Sequence, residues 1–339
     1  MTVSTYTVLV IGCGNMAGGY DMLQAEQSLP LGHAKAFTNH VGFSLSACVD
    51  PDNLRRLSFQ KRWHVSNGYA SLEDSDFKVG QFDVISICSP TSSHAADIQS
   101  ALKLKPKLIF CEKPVTTNVE ETIRAIDACA DQKVLLAVNY SRRWSPQVIQ
   151  LKAELDNGHW GAVRSVSAVY NKGILNNGSH MFDLLLCLFG PLSITSVGQA
   201  VEDFFSYDPS VDATLRSDTG IPIQLNIASA QDFMIFEMQI ITEKGVISME
   251  DGGARWRFRF ATSSKQLDGY RFLNSGQWVE PEGSFDLTRA VANLFESLQC
   301  GAPLASTGSN ALKAQYLCEN IKQIALAQAD GHLCKKEEI

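Results

Sequence analysis

Four apolar residues, Val8 to Ile11, run directly into Gly12-Cys13-Gly14-Asn15-Met16-Ala17, and this junction restricts the chain more than any other stretch of it. A short apolar run suits a strand buried on both faces of a parallel sheet. The turn behind it needs glycine for two reasons. Gly12 can take a tight turn, and Gly14 carries no side chain to keep a pyrophosphate from the backbone. Ala17 is small enough for a following helix to pack close to the sheet, and such a helix would present free N–H groups and a positive dipole end to the phosphates. Gly12, Gly14, Asn15, Met16 and Ala17 are therefore the first cofactor-binding candidates.

The next hundred residues repeat the pattern. Ser44–Val49, Asp83–Cys88, Leu108–Cys111 and Val134–Asn139 are further apolar runs, and helix-like stretches such as His94–Lys103 and Asn118–Asp131 lie between them. That alternation predicts a doubly wound, parallel Rossmann sheet over residues 1–140. Asp50 ends the second run, where an acid can hydrogen-bond the adenosine ribose and repel a 2′-phosphate, so NAD is expected and NADP is the less favoured cofactor. Asp50 lies about 30 residues beyond Ala17 instead of the usual ~20, so an insertion of about a dozen residues is expected, with Gln24–Gly32 as its site. Arg55 and Arg56 are close enough to swing to a phosphate.

Length and charge set the class. A chain of 339 residues suits two domains, and a net charge of −7 without a basic cluster argues against nucleic acid or an anionic membrane as partner. No apolar stretch reaches the length of a membrane span, and Met1-Thr2-Val3-Ser4-Thr5 lacks the character of a signal peptide, which leaves the cytoplasm as the expected compartment. The nine cysteines are scattered with no C-x-x-C pair, so they read as small core residues and no metal site is expected.

From Gly161 onward the apolar runs alternate instead. Ser165–Tyr170, Ile221–Ala228, Phe233–Thr242, Gly245–Glu250 and Arg255–Phe260 are strand-like, with Thr219-Gly220 and Glu243-Lys244-Gly245 as turns. Leu287–Cys300 and Asn310–Gln328 read as amphipathic helices, and Lys335-Lys336-Glu337-Glu338 as a frayed end. Residues 141–334 are thus expected to form an α+β domain with a largely antiparallel sheet. Apolar positions on both faces, such as Met238 and Ile241, predict a homodimer or homotetramer.

Gly12–Ala17, Ser89-Pro90-Thr91 with His94, Cys111-Glu112-Lys113-Pro114, Asn139-Tyr140 with Arg142-Arg143, and Gly178-Ser179-His180 with Asp183 occur in the order seen in the Gfo/Idh/MocA oxidoreductases, and the chain resembles that family over nearly its whole length. The resemblance implies an NAD(P)-dependent enzyme acting on a hydroxyl or ketone of a sugar, a cyclitol or a related small molecule, a nucleotide sugar among them. It adds Ser89, Pro90, Thr91, His94, Glu112 and Lys113 to the cofactor side and implies a cis Lys113–Pro114 bond. Tyr140, Arg143, Asn176, His180 and Asp183 join Lys113 on the substrate side.

Oxidising a secondary alcohol needs a hydride acceptor and a base for the hydroxyl proton, and the cofactor supplies only the first. Lys113 follows a buried strand at the carboxyl edge of the sheet, where a partly desolvated ammonium can counter alkoxide charge. His180 can take and return a proton near neutral pH, with Asp183 one helical turn on. Asn176 stands where many relatives of the resembled family carry an aspartate, and an amide orients a hydroxyl without accepting its proton. His33, near the end of the insertion, is read as a surface residue, with a place by the phosphates or lining the cleft as the alternative. Two further readings stand beside the dehydrogenase: a non-catalytic dinucleotide sensor, which would have no need of Lys113 and His180, and a reductase of a non-sugar ketone or imine.

Overall fold

The computed structural model describes residues 5–25, 27–281 and 287–336, with side chains as far as Ala329. The chain divides into two units, one of 1–144 with 285–312 and the other of 145–284 with 313–339. Met1–Ser4, Glu337 and Glu338 lie outside the described residues, while Lys335 and Lys336 end the last helix, Gly308–Lys336.

In the first unit, runs without a polar face become strands covered on both sides. Val8, Leu9 and Val10 are 0% exposed, as are Leu108 to Cys111. The elements are β1 (Tyr6–Ile11), α1 (His33–Asn39), β2 (Phe43–Val49), α2 (Asn53–Trp63), β3 (Asn67–Tyr69), β4 (Val84–Ile87), α3 (Thr91–Lys103), β5 (Leu108–Cys111), α4 (Val119–Asp131) and β6 (Leu135–Val138). The six strands are all parallel in the order β3-β2-β1-β4-β5-β6. The order reverses between β1 and β4, and the carboxyl ends of these two strands flank the crevice where ligands of open α/β sheets bind. Asp52 caps α2, its carboxylate accepting the Leu54 and Arg55 N–H groups at 2.9 and 3.1 Å, a contact worth about 1 kcal/mol.

Two expectations are corrected here. No regular helix follows the glycine-rich turn directly: α1 starts only at His33, because the chain leaves its helical path and returns. The departure begins near Gly18, earlier than the expected Gln24. Second, Thr288–Cys300 belongs with the first unit, not with residues 141–334. Phe295 packs edge-on against Tyr6 and Phe43, and a side chain at Gly42 would run into its ring.

The second unit contains α5 (Pro146–Asp156), β7 (Val163–Tyr170), α6 (Ser179–Phe189), β8 (Leu192–Phe205), β9 (Asp208–Ser217), β10 (Pro222–Ile227), β11 (Phe236–Thr242), β12 (Gly245–Glu250), β13 (Arg255–Ser263), β14 (Arg271–Leu273) and β15 (Gln277–Val279). Its sheet runs β14-β13-β12-β11-β7-β10-β9-β8, with β15 paired to β13. Among the described residues of this sheet, only the β7–β10 pair is parallel. Phe236, Met238 and Ile240 are buried on one face while Gln239 and Ile241 face outward. The β8–β9 hairpin has no counterpart among the strands expected from sequence. Its outer strand fully buries only Asp203 and shifts register repeatedly, so it shows no period-2 pattern.

Candidate active site

The glycine-rich turn is pinned at both ends. Gly12 has φ +86°, and a Cβ there would lie 2.5 Å from the Ser89 nitrogen, so β1 and β4 can meet only over a glycine. Its N–H donates to the Val49 carbonyl at 2.7 Å. The Cys13 N–H donates to the Asp50 carboxylate at 2.6 Å, and the other Asp50 oxygen accepts the Asp52 N–H at 2.8 Å. Asp50 is 5% exposed and holds the turn against the end of β2. At Gly14 the situation is opposite. A Cβ there would meet nothing within 4 Å, which is the open backbone that a pyrophosphate requires. Beside it lies a cavity of about 380 Å³ whose lining includes Gly14, Asn15, Met22, Leu54, Arg55 and Ser58. Arg56 is turned away, its guanidinium donating to the Asp50 carbonyl and the Asn53 side chain. These residues fit a dinucleotide.

The detour after Ala17 is anchored by a buried acid. Asp21 is 0% exposed, and its two oxygens accept the Leu31 and Gly32 N–H groups at 3.0 and 2.7 Å. Lys35, itself buried, donates to the Ala25 carbonyl and the Ser28 hydroxyl. The chain then resumes its helix, with His33 N–H on the Met16 carbonyl and Ala34 N–H on that of Ala17.

At the carboxyl ends of β4 and β5, His94 is a brace. Its ring nitrogens lie 2.8 Å from the Ser89 carbonyl and 2.9 Å from that of Pro114, so it ties the two loops together from a position that is 1% exposed. Ser89 donates to Asp97 at 2.5 Å. The Lys113–Pro114 peptide is cis, and Lys113 is half-buried. Pro90 and Thr91 form the start of α3.

Glu112 points into the unit. One oxygen meets His33 Nε2 at 2.8 Å and accepts from Asn139 Nδ2 at 2.7 Å, and the other faces the Lys113 N–H at 3.3 Å. His33 is not a surface residue: it is 0% exposed, stacks on Phe110 and places Nδ1 2.7 Å from the Ser86 hydroxyl. The return of α1 to the sheet buries it. Burial opposes charge on this ring, but the Cys88 sulfur and the Glu112 carboxylate outweigh it and push its pKa up to about 10. Burial alone would raise Glu112, yet His33 above all, with Asn139 and Lys113, holds it below the usual carboxylate range. Tyr140 and Arg142 are buried and Arg143 is half-buried.

In the second unit the segment leading to His180 is held by two acids that the sequence did not single out. Lys172 and Gly173 both take positive φ, and residues 173–178 form a wide helical turn before α6. Asp208 caps it, accepting the Leu175 and Asn176 N–H groups at 2.9 Å each. A Cβ on Gly173 would lie 2.2 Å from that carboxylate. Asp203 accepts the Lys172 N–H, the Ser210 hydroxyl at 3.0 Å and the Ala230 N–H at 2.5 Å. Asn176 donates from Nδ2 to the Lys172 carbonyl at 3.1 Å. His180 is half-buried on the first turn of α6, and Asp183, one turn on, is 1% exposed. The two anchoring acids flank the turn of the β8–β9 hairpin, and an acid at each end of a Phe-Phe-Ser-Tyr turn was their only sequence signal. Among the described residues no group of three or more His, Cys, Asp or Glu side chains could hold a metal ion, and no helix is long and apolar enough to cross a membrane.

Comparison with known proteins agrees with this geometry. The family model described as an oxidoreductase family with an NAD-binding Rossmann fold, GFO_IDH_MocA, matches residues 6–140. Inositol 2-dehydrogenase of Rhizobium meliloti strain 1021 is 27% identical over 266 residues, covering 70% of this chain and 76% of that protein. The scyllo-inositol 2-dehydrogenase (NAD(+)) of Bacillus subtilis strain 168 is 31% identical over 148 residues, 42% of this chain and 40% of its own. The WlbA dehydrogenase from Bordetella pertussis, solved in complex with NADH and UDP-GlcNAcA, shares the fold with a TM-score of 0.74 at 17% identity, covering 95% of this chain and 96% of that one. The glycine-rich turn, the β2 acid and the Glu112-Lys113-cis-Pro114 turn lie at the carboxyl edge of one parallel sheet, within the residues 6–140 that match the Gfo/Idh/MocA family of NAD-binding oxidoreductases.

Proposed function

We propose that the protein is an NAD-dependent dehydrogenase that moves a hydride between the nicotinamide and a hydroxyl or ketone of a sugar, cyclitol or sugar derivative. The observation that carries this reading is the half-buried Lys113, placed by the turn after β5 at the sheet edge where the glycine-rich turn also opens. The activities named for the Rhizobium and Bordetella relatives support it. Bound NAD supplies the hydride acceptor or donor. The open backbone at Gly14 and the turn that follows it to Ala17 would hold its pyrophosphate, Asp50 its adenosine ribose, and Ser89, Pro90, Thr91 and Lys113 its nicotinamide half.

The remaining chemistry falls to the chain. The Lys113 ammonium stabilises negative charge growing on the substrate oxygen, and His180 takes the hydroxyl proton in oxidation or returns it in reduction. Asn176 orients that hydroxyl, while Tyr140, Arg143 and Asp183 shape the substrate side. We also propose a cytoplasmic homodimer or homotetramer formed through the outward sheet face, where Ile241 is 39% exposed beside its ladder partners Val246 and Ser165. The deciding experiment follows absorbance of NADH with a panel of sugars, cyclitols and nucleotide sugars. Turnover on a panel member is the expected result. Tight NADH binding without turnover on any of them would favour the sensor reading instead.

A further inference from the structure

The buried His33–Glu112 pair is not used by the chemistry above, although Glu112 is the residue next to Lys113. His33 is anchored from four directions: its N–H on the Met16 carbonyl, its Nδ1 at the Ser86 hydroxyl of β4, its ring on Phe110 of β5 at 4.4 Å, and its Nε2 on Glu112. Ser86 and Phe110 are direct partners in the β4–β5 ladder, so the ring lies across the junction of these strands. Glu112 is fixed further by Asn139 beyond β6, by its own N–H on the Ile87 carbonyl, and by the facing Lys113 N–H. A carboxylate buried to this degree is tolerable only with a partner, because a lone charge in the interior is costly.

We propose that His33 is a positioning residue for Lys113: by gripping and neutralising the Glu112 carboxylate, it fixes the Glu112–Lys113 turn and sets the charge that the Lys113 ammonium faces. This rests on Lys113 being the group that meets the substrate oxygen. The charge argument has a definite sign. With His33 cationic, Lys113 faces a balanced pair. Without that cation it faces a bare carboxylate, which favours the ammonium; without the carboxylate the buried ring sheds its proton too, and Lys113 loses the attraction that the carboxylate exerts as His33 titrates near pH 10. The other titratable groups around the pair are Cys88 at the end of β4, Cys111 on β5, and His94 and Asp97 of α3 near Cys111. None of them is changed in the variants below.

The test uses His33→Gln, Glu112→Gln and the double variant in the full-length protein. Lysines are reductively ¹³C-methylated, the Lys113 signal is assigned with Lys113→Arg, and its titration is followed by NMR without cofactor. We expect the Lys113 midpoint to rise by at least about half a pH unit in His33→Gln, to fall in Glu112→Gln, and in the double variant to match Glu112→Gln. Turnover should fall about tenfold or more in each single variant while the NADH dissociation constant, read by fluorescence, changes less than about threefold. Midpoints that stay put, or move in the same direction in both single variants, would overturn the proposal. If His33→Gln does not fold, Glu112→Gln and the neutral pair of the double variant still decide it. Failure of the parent reading looks different: Lys113→Ala would keep its turnover whatever the titrations show.

Discussion

The His33 N–H donates to the Met16 carbonyl at 2.9 Å, a bond that closes the whole excursion between them as if the helix had never been interrupted. Ala34 repeats it on Ala17 at 2.7 Å. If Gly19 were joined directly to His33, both bonds would become the ordinary i to i−4 bonds of one continuous helix.

Excising Tyr20–Gly32 should therefore give a folded protein. Lys35 loses its Ala25 and Ser28 partners but becomes free to reach solvent, while the cavity beside Gly14 loses its Met22 wall. We expect NADH affinity to fall by no more than about tenfold, or about 1.4 kcal/mol. Titration of the deletion variant by NADH fluorescence checks this, and a loss beyond about a hundredfold would make the excursion part of the binding frame.

On the proposed reading Asp50 joins two tasks, since its carboxylate holds the Cys13 N–H and stands at the carboxyl end of β2, where the ribose is proposed to bind. NAD(H) should bind more tightly than NADP(H). Asp50→Ala should weaken NADH at least about tenfold and narrow the preference, because a charge-assisted bond to the turn disappears together with the repulsion of a 2′-phosphate. Dissociation constants for both reduced cofactors measure it. Arg55, which lines the same cavity, is the group that a tighter NADPH constant in the unaltered protein would implicate.

Stability should depend on pH through the buried pair. His33 is raised from 6.5 to about 10, so its contribution is complete below pH 6.5 and is lost as pH climbs through about 10. Glu112 is depressed, so its contribution is present above its ordinary value of 4.5 and is lost as pH falls through its lowered one. Urea midpoints should decline on the alkaline side, and His33→Gln should flatten that decline. An unchanged alkaline slope in the variant would mean that His33 does not carry this charge.

Lys113→Ala and His180→Ala should each lose at least about a hundredfold in turnover, with much smaller changes in cofactor affinity. Steady-state rates on the substrate identified by the panel provide the check. Near wild-type turnover in either variant would remove that residue from the chemistry.

Asn176→Asp should move the acid limb of kcat/KM in the oxidative direction to higher pH. A carboxylate near His180 favours the imidazolium, and oxidation needs the base neutral, so more alkaline conditions are required to free it. Both Asn176→Asp and Asn176→Ala remove the bond from Nδ2 to the Lys172 carbonyl, so the alanine variant separates that loss from the effect of charge. A limb that does not move in the aspartate variant would place Asn176 away from the base.

The parallel strands could be read in the sequence because burial on both faces demands runs such as Val8–Ile11 and Leu108–Cys111, and the turn glycines because backbone geometry admits nothing else at Gly12. These are local constraints, and they persist in any chain that makes this sheet. The β8–β9 hairpin escaped because a partly exposed, bulged edge strand imposes no period, and Asp203 and Asp208 escaped with it. The place of His33 was equally out of reach. Whether a histidine after an insertion lies on the surface or in the core depends on where the chain comes back, and here the Met16 and Ala17 carbonyls, the Asp21 carboxylate and the Phe110 ring receive it. Residue type and spacing thus determined the sheet, the turn and the Glu112-Lys113-Pro114 edge. Only the tertiary structure decided which charges are paired in the interior, because a buried ion pair is made by elements distant in sequence and leaves no periodic trace in either of them.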